Sequence, residues 1–118
     1  MPLFRRKSKE PPAAVEHAVI LHLPLSGDEF GTGDEREHVF ALEDSIIEAV
    51  QPIAGDYDGH EFGAGEAVLY TYGRDANELF DAVSGALGDF PLRAGAYAIK
   101  RFGPAGDPTS AEERLELS

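Results

Sequence analysis

The sequence predicts an α+β domain of the ferredoxin-like type, a βαββαβ sandwich in which a four-stranded antiparallel sheet carries two helices on one face. Two observations favour this fold class. Short segments rich in apolar and β-branched residues suit strands, and two longer segments repeat their apolar residues at helical spacing. The predicted order is strand, helix, hairpin, helix, strand, which right-handed crossovers close into one sheet.

The first two elements are predicted from apolar periodicity and from cap residues. Residues 16–25 form a nearly all-apolar segment with a period of two, which is typical of a central strand. The first helix is predicted to begin near Glu35, because Asp34 and Glu37 have the spacing of a capping box. Pro52 lies near the end of the helically spaced apolar residues and is expected to end or kink the helix.

A hairpin is predicted to follow the first helix. Residues 56–62 suit a short polar strand and residues 66–72 a β-rich strand, joined by the glycine-rich turn 63–65. A turn of three residues would place His60 opposite Val68.

The second helix is predicted after Asp75 and Glu78, which repeat the capping-box spacing, and Gly88 supplies a stop signal. Residues 96–102 alternate in polarity and are predicted to form the fourth strand. The sequence leaves open whether residues 110–118 add a further strand.

The chain is expected to contain a flexible basic tail, residues 1–14, and a single domain, residues 15–118. No cysteine occurs in the 118 residues, which excludes disulfides and thiolate chemistry. No apolar run reaches membrane-spanning length, so we expect a cytoplasmic protein without stable membrane association.

Charge constrains the choice of partner. The formal net charge is −12, and the first ten residues carry four basic and one acidic side chain, so −15 falls on the remainder. Such an acidic domain repels phosphate backbones, which argues against nucleic acid, and it attracts basic proteins. We therefore expect a basic protein partner or a homodimer.

One part of the sequence carries a family resemblance. The segment DGHEFGAGEAVLYTYG at 58–73, followed by DA at 75–76 and LF at 79–80, resembles a family of small uncharacterised bacterial proteins with a ferredoxin-like βαββαβ domain. The resemblance extends over about residues 16–103. It implies the fold and brings no catalytic residue, ligand or cofactor with it.

The most ligand-like side chains are Asp56, Asp58, His60 and Glu66, since carboxylates and imidazole suit a divalent metal. The interpretation favoured here is a solvated edge strand that resists pairing, and we predict neither a metal nor a cofactor. No catalytic motif is recognised.

The face of the sheet opposite the helices is the candidate binding surface. We expect a non-enzymatic interaction or self-association module, in one form immunity-like or inhibitory toward a basic protein. The alternative is a small-molecule-binding or enzymatic domain that uses the same face. The candidate binding residues on this face are Ile20, His22, His60, Val68, Tyr70, Tyr72 and Arg101.

Overall fold

The computed structural model describes residues 16–27 and 29–117. This part of the chain forms five β-strands, two α-helices and one short 3₁₀ helix. In chain order the elements are β1 (His17–Pro24), α1 (Gly33–Val50), the 3₁₀ helix (Gln51–Ile53), β2 (Asp56–Gly63), β3 (Glu66–Gly73), α2 (Ala76–Leu87), β4 (Tyr97–Arg101) and β5 (Glu112–Glu116).

The five strands form one antiparallel sheet in the order β2-β3-β1-β4-β5. Both helices pack against one face, where Leu21 of β1 and Leu69 of β3 are fully buried beneath Ile46 of α1 and Leu79 of α2. Side chains of successive strand residues alternate between the two faces. We call the face that carries no helix the open sheet face.

The predicted α+β class is confirmed, but the four-stranded ferredoxin-like βαββαβ sandwich is wrong, because the sheet has a fifth strand. β5 pairs along the whole length of β4, with Ile99 opposite Arg114 at the centre. The backbone N–H of Leu117 then donates to the carbonyl of Ala96 at 2.9 Å. The extra strand satisfies backbone groups of β4 that would otherwise form a free sheet edge.

Each helix begins at a side chain that caps its free backbone N–H groups. The predicted cap of α1 is wrong by two residues, since Thr32 rather than Asp34 is the N-cap. Thr32 Oγ1 accepts the backbone N–H of Glu35 at 3.1 Å, and the Glu35 carboxylate accepts the backbone N–H of Thr32 at 2.9 Å. The cap predicted for α2 is confirmed, because the Asp75 carboxylate accepts two backbone N–H groups of the first turn.

The turn between β2 and β3 is shorter than predicted. It consists of Ala64 and Gly65, whose φ angles are 52° and 78°, and such consecutive positive values match the twist of a two-residue hairpin. The pairing therefore shifts by one residue, and His60 lies opposite Leu69 rather than Val68. A shift of one residue moves a side chain to the other face, so the prediction that His60 lies on the open sheet face is wrong.

The predicted basic tail, residues 1–14, lies outside the described residues. Neither α1 nor α2 combines the length and the apolar character that a transmembrane segment needs, and the same holds for every described helix.

Candidate functional site

Three bands of side chains cross the open sheet face, because residues paired on neighbouring strands point to the same side. The middle band runs from Tyr70 of β3 through Ile20 of β1 and Ile99 of β4 to Arg114 of β5. The band on one side contains Glu61, Val68, His22, Tyr97 and Glu116, and the band on the other side contains Asp56, Tyr72, Ala18, Arg101 and Glu112.

The structure therefore brings together all the predicted binding residues except His60. Sequence reasoning missed Tyr97, Ile99 and Arg114. Tyr97 and Ile99 share the strand and the parity of Arg101, so the alternation along β4 was a sufficient signal for them. Arg114 belongs to a strand of charged residues that gives no comparable signal. The predicted residues found on this face are Ile20, His22, Val68, Tyr70, Tyr72 and Arg101.

His22, Tyr97 and Arg114 form a stack that spans three adjacent strands. The ring centroids of His22 and Tyr97 are 4.4 Å apart with the planes inclined by 7°, and the guanidinium carbon of Arg114 lies 3.6 Å from the Tyr97 centroid. His22 Nδ1 lies 3.3 Å from a Glu66 carboxylate oxygen, and Arg114 Nε donates to Glu116 at 2.6 Å. Stacking, cation–π attraction and charge pairing together hold these side chains in one orientation.

Tyr70 fixes the end of the middle band that lies on β3. Its hydroxyl donates to a carboxylate oxygen of Glu61 at 2.7 Å. Burial, and then this hydrogen bond, raise the pKa of Tyr70 above its ordinary value. The phenol therefore remains protonated and keeps its donor role at physiological pH.

Arg101 is held at the end of the third band. Its side chain is 9% exposed, and its Nε donates to the carbonyl of Gly103 at 2.8 Å. The guanidinium carbon lies 6.0 Å from the ring centroid of Tyr72. Within residues 16–27 and 29–117, its buried Nη2 has no hydrogen-bond partner.

His60 belongs to a separate cluster between β2 and α1. Its Nδ1 lies 2.5 Å from a carboxylate oxygen of Glu43, and the hydroxyl of Tyr57 donates to the same oxygen. The ring centroids of Phe40 and Phe62 lie 5.7 Å and 4.9 Å from that of His60. Burial, and then the bond to Glu43, raise the pKa of Tyr57. These contacts attach the edge strand to the helix above it.

The side chains of the hairpin that resemble metal ligands do not point toward a common site. His60 faces α1, whereas Asp56 and Glu66 lie on the open sheet face, and Asp58 is the extra residue of a β-bulge. In the part of the chain that the structure describes, no three His, Asp or Glu side chains are grouped so that they could hold a metal ion.

Carboxylates surround the semi-apolar centre of the open sheet face. Arg101 and Arg114 are the arginines of the described strands on this face, and Arg101 is almost fully buried. The face is therefore negatively charged on balance. The carboxylates around its margin belong to Asp56, Glu61, Glu66, Glu112 and Glu116.

Comparison of the chain with models of protein families, with curated proteins and with solved structures gives no match. The resemblance to small bacterial proteins, which residues 58–73 carry, therefore stays a prediction.

Proposed function

We propose that this chain is a non-enzymatic interaction module that binds a positively charged protein through its open sheet face. One observation carries the proposal: a semi-apolar centre, formed by Tyr70, Ile20 and Ile99, is surrounded by carboxylates on a face without helices. The solvated face of an antiparallel sheet is usually polar. Aromatic and aliphatic side chains at its centre are instead the composition of a contact surface with a polar margin.

The contact surface is also preorganised. Tyr97 lies between His22 and Arg114, and the hydroxyl of Tyr70 is bonded to Glu61. Ordering a side chain at an interface costs about 0.5–1.5 kcal/mol when that side chain is free before binding. Side chains that are already held avoid much of this cost, which favours association.

The sign of the charge selects the partner. The five marginal carboxylates outnumber the two arginines, so the face is negative even when Arg101 is counted in full. A second copy of the chain would bring like charges together across the interface, whereas lysines or arginines of another protein would pair with them. A basic partner is therefore favoured over a homodimer.

The test begins with capture of binding proteins from a lysate of the native host on the immobilised full chain, followed by purification of the captured protein. Its affinity is then measured by calorimetry for the wild type and for Tyr70→Ala/Tyr97→Ala. We expect the double variant to lose affinity at least about tenfold, because anchor residues of an interface typically contribute more than about 1 kcal/mol each.

A matched pair of variants isolates the contribution of charge. Asp56→Asn/Glu116→Gln removes two charges from the open sheet face, and Glu37→Gln/Glu48→Gln removes two from exposed positions of α1. We expect slower association and a weaker salt dependence for the first pair only. Equal effects of the two pairs, or undiminished binding by Tyr70→Ala/Tyr97→Ala, would contradict the proposal.

A further inference from the structure

A cavity of about 590 Å³ lies where the loop between β4 and β5 leaves the sheet. Its volume is within the range of roughly 300–1,000 Å³ that is usual for small-molecule sites. It includes Arg101 and Glu112 of the third band of the open sheet face and no residue of the stack around Tyr97. Its walls are formed by Arg101, Pro104, Ala105, Gly106, Asp107, Pro108, Ser110 and Glu112.

The loop forms one wall of this cavity, which is open to solvent, and is braced by its own hydrogen bonds. Ser110 donates its hydroxyl to the carbonyl of Pro104 at 3.1 Å and its backbone N–H to the carbonyl of Asp107 at 3.0 Å. Thr109 donates both its backbone N–H and its hydroxyl to the Asp107 carboxylate, at 2.9 Å and 2.7 Å. A Cβ on Gly103 would lie 2.3 Å from Ser110 Oγ, so the two ends of the loop are in close contact. The cavity is therefore preformed.

The chemical signal in the cavity wall is the guanidinium of Arg101. Its Nε is engaged by the carbonyl of Gly103, but its buried Nη2 has no acceptor among the described residues. Glu112 is directly opposite Arg101 in the strand pairing, and no ion pair joins the two within residues 16–27 and 29–117. Nη2 is closed off from the cavity, whereas Nη1 has no hydrogen-bond partner among the described residues and is not among their buried atoms, so it can receive an acceptor that a ligand supplies.

The charges of the cavity wall indicate which kind of ligand would fit. Arg101 contributes one positive charge, and Asp107 and Glu112 contribute two negative charges. A simple anion such as phosphate would be attracted by the arginine and repelled by both carboxylates. A molecule that carries a protonated amine beside its carboxylate satisfies both signs at once.

We propose that this cavity binds a zwitterionic small molecule of the α-amino acid type, with its carboxylate on the guanidinium of Arg101 and its ammonium group beside Glu112 and Asp107. The site lies at the margin of the open sheet face, because Arg101 and Glu112 belong to its third band, but it contains none of Tyr70, Ile20 and Ile99, which form the centre of that face. It gives the domain a second binding function, for a small molecule that carries both charges rather than for a basic protein.

The test uses the full chain labelled with ¹⁵N, with the Arg Nε–Hε and backbone amide signals observed by NMR. The probes are each of the common free α-amino acids, together with acetate and methylammonium, which carry only one of the two charges. We expect at least one amino acid to shift the Arg101 Nε–Hε and Ser110 amide signals saturably. Acetate and methylammonium should bind at least about tenfold more weakly, the loss expected for one charged hydrogen bond.

Two variants identify the groups responsible. Arg101→Met removes the guanidinium and should abolish the shift at Ser110, whereas Arg114→Met, on the same face but outside the cavity, should keep it. Arg101→Met also removes the hydrogen bond from Nε to the carbonyl of Gly103, so thermal unfolding of the variant checks that the fold is kept. Should Arg101→Met nevertheless unfold, Glu112→Gln decides the matter, because it should bring the affinity for the amino acid down to that for acetate.

The proposal is overturned if no amino acid shifts these signals, if Arg101→Met binds as the wild type does, or if acetate binds as tightly as the amino acid. Failure of this site is distinguishable from failure of the protein contact. Tyr70→Ala/Tyr97→Ala leaves every residue of the cavity wall in place and should bind the amino acid with unchanged affinity.

Discussion

The imidazole of His22 and the phenol ring of Tyr97 lie face to face across β1 and β4, with their centroids 4.4 Å apart. Direct pairing of the two residues in the sheet places both rings on the open sheet face. Arg114 then covers the other side of Tyr97 and connects the stack to β5. This relationship joins the central strand of the sheet to its outermost strand and gives the surface a fixed shape.

The first prediction concerns the energy of this stack. A double-mutant cycle of His22→Ala and Tyr97→Ala should give a coupling free energy of about 0.5–1.5 kcal/mol, as for other aromatic pairs. The measurement is denaturant unfolding of the wild type, both single variants and the double variant. A control cycle of His22→Ala with Phe40→Ala, on α1, should be additive within about 0.5 kcal/mol. Additivity in the first cycle would mean that the two rings do not interact in solution.

A second prediction follows from the anchoring of Glu35. Its carboxylate accepts the backbone N–H of Thr32 at 2.9 Å, and the hydroxyl and backbone N–H of Ser26 at 2.8 Å and 3.0 Å. The bond from Thr32, and then those from Ser26, lower the pKa of Glu35 below its ordinary value of 4.5. The folded state therefore stabilises the ionised form of this carboxyl more than the unfolded chain does.

The sign of the pH dependence follows from linkage. Because the pKa is lower in the folded state, the stabilisation is complete above pH 4.5 and is lost as the pH falls through the folded-state value. Glu35→Gln should therefore be less stable than the wild type at pH 7, with the difference shrinking below pH 4.5. Thermal unfolding at a series of pH values measures this, with exposed Glu37→Gln as the matched control. A difference that stays constant down to pH 3 would contradict the linkage.

A third prediction concerns the attachment of the edge strand. Glu43 accepts hydrogen bonds from Tyr57 and His60, and its side chain is 14% exposed. Glu43→Ala leaves two donors without their acceptor and should lower the free energy of unfolding by about 1–3 kcal/mol. Exposed Glu48→Ala, on the same helix, should change it by less than about 0.5 kcal/mol. Equal stability of the two variants would show that the cluster does not hold β2.

The sequence was informative where periodicity is local. Alternation along β1 and β3 and the helical spacing of α2 predicted those elements and most residues of the open sheet face. Sequence reasoning failed at the hairpin, because Ala64 adopts a positive φ that alanine seldom takes. The glycines on either side of Ala64 pointed to a longer turn. That error of one residue assigned His60 to the wrong face.

The sequence left the fifth strand open for a different reason. Its segment from Glu112 to Glu116 contains one apolar residue, Leu115, so neither a period of two nor an apolar run identifies it. The segment forms a strand because β4 offers a free edge to pair with, and that edge exists only in the tertiary structure. The stack of Arg114 on Tyr97 and the enclosed guanidinium of Arg101 both depend on this strand or its loop, so they could not be predicted either.

The fourth prediction tests β5 directly. Truncation of the chain after Ala111 removes the strand and leaves the outer backbone groups of β4 unpaired. The truncated chain should unfold at a lower denaturant concentration and exchange its β4 amide hydrogens faster than the wild type. Glu113→Gln, a substitution within β5 that keeps the backbone pairing, serves as the control. Unchanged exchange in β4 after truncation would show that β5 does not protect it.

If the open sheet face binds a positively charged partner, its backbone amides should respond to that partner. The most direct measurement is a ¹⁵N NMR titration of the full chain with the purified partner, in which every perturbed backbone amide is located in the fold. We expect the largest perturbations at Ile20, Tyr70 and Ile99, and we expect them to weaken as salt is added. Perturbations concentrated at the exposed Phe40 and Ile47 of α1, with the open sheet face unaffected, would contradict it.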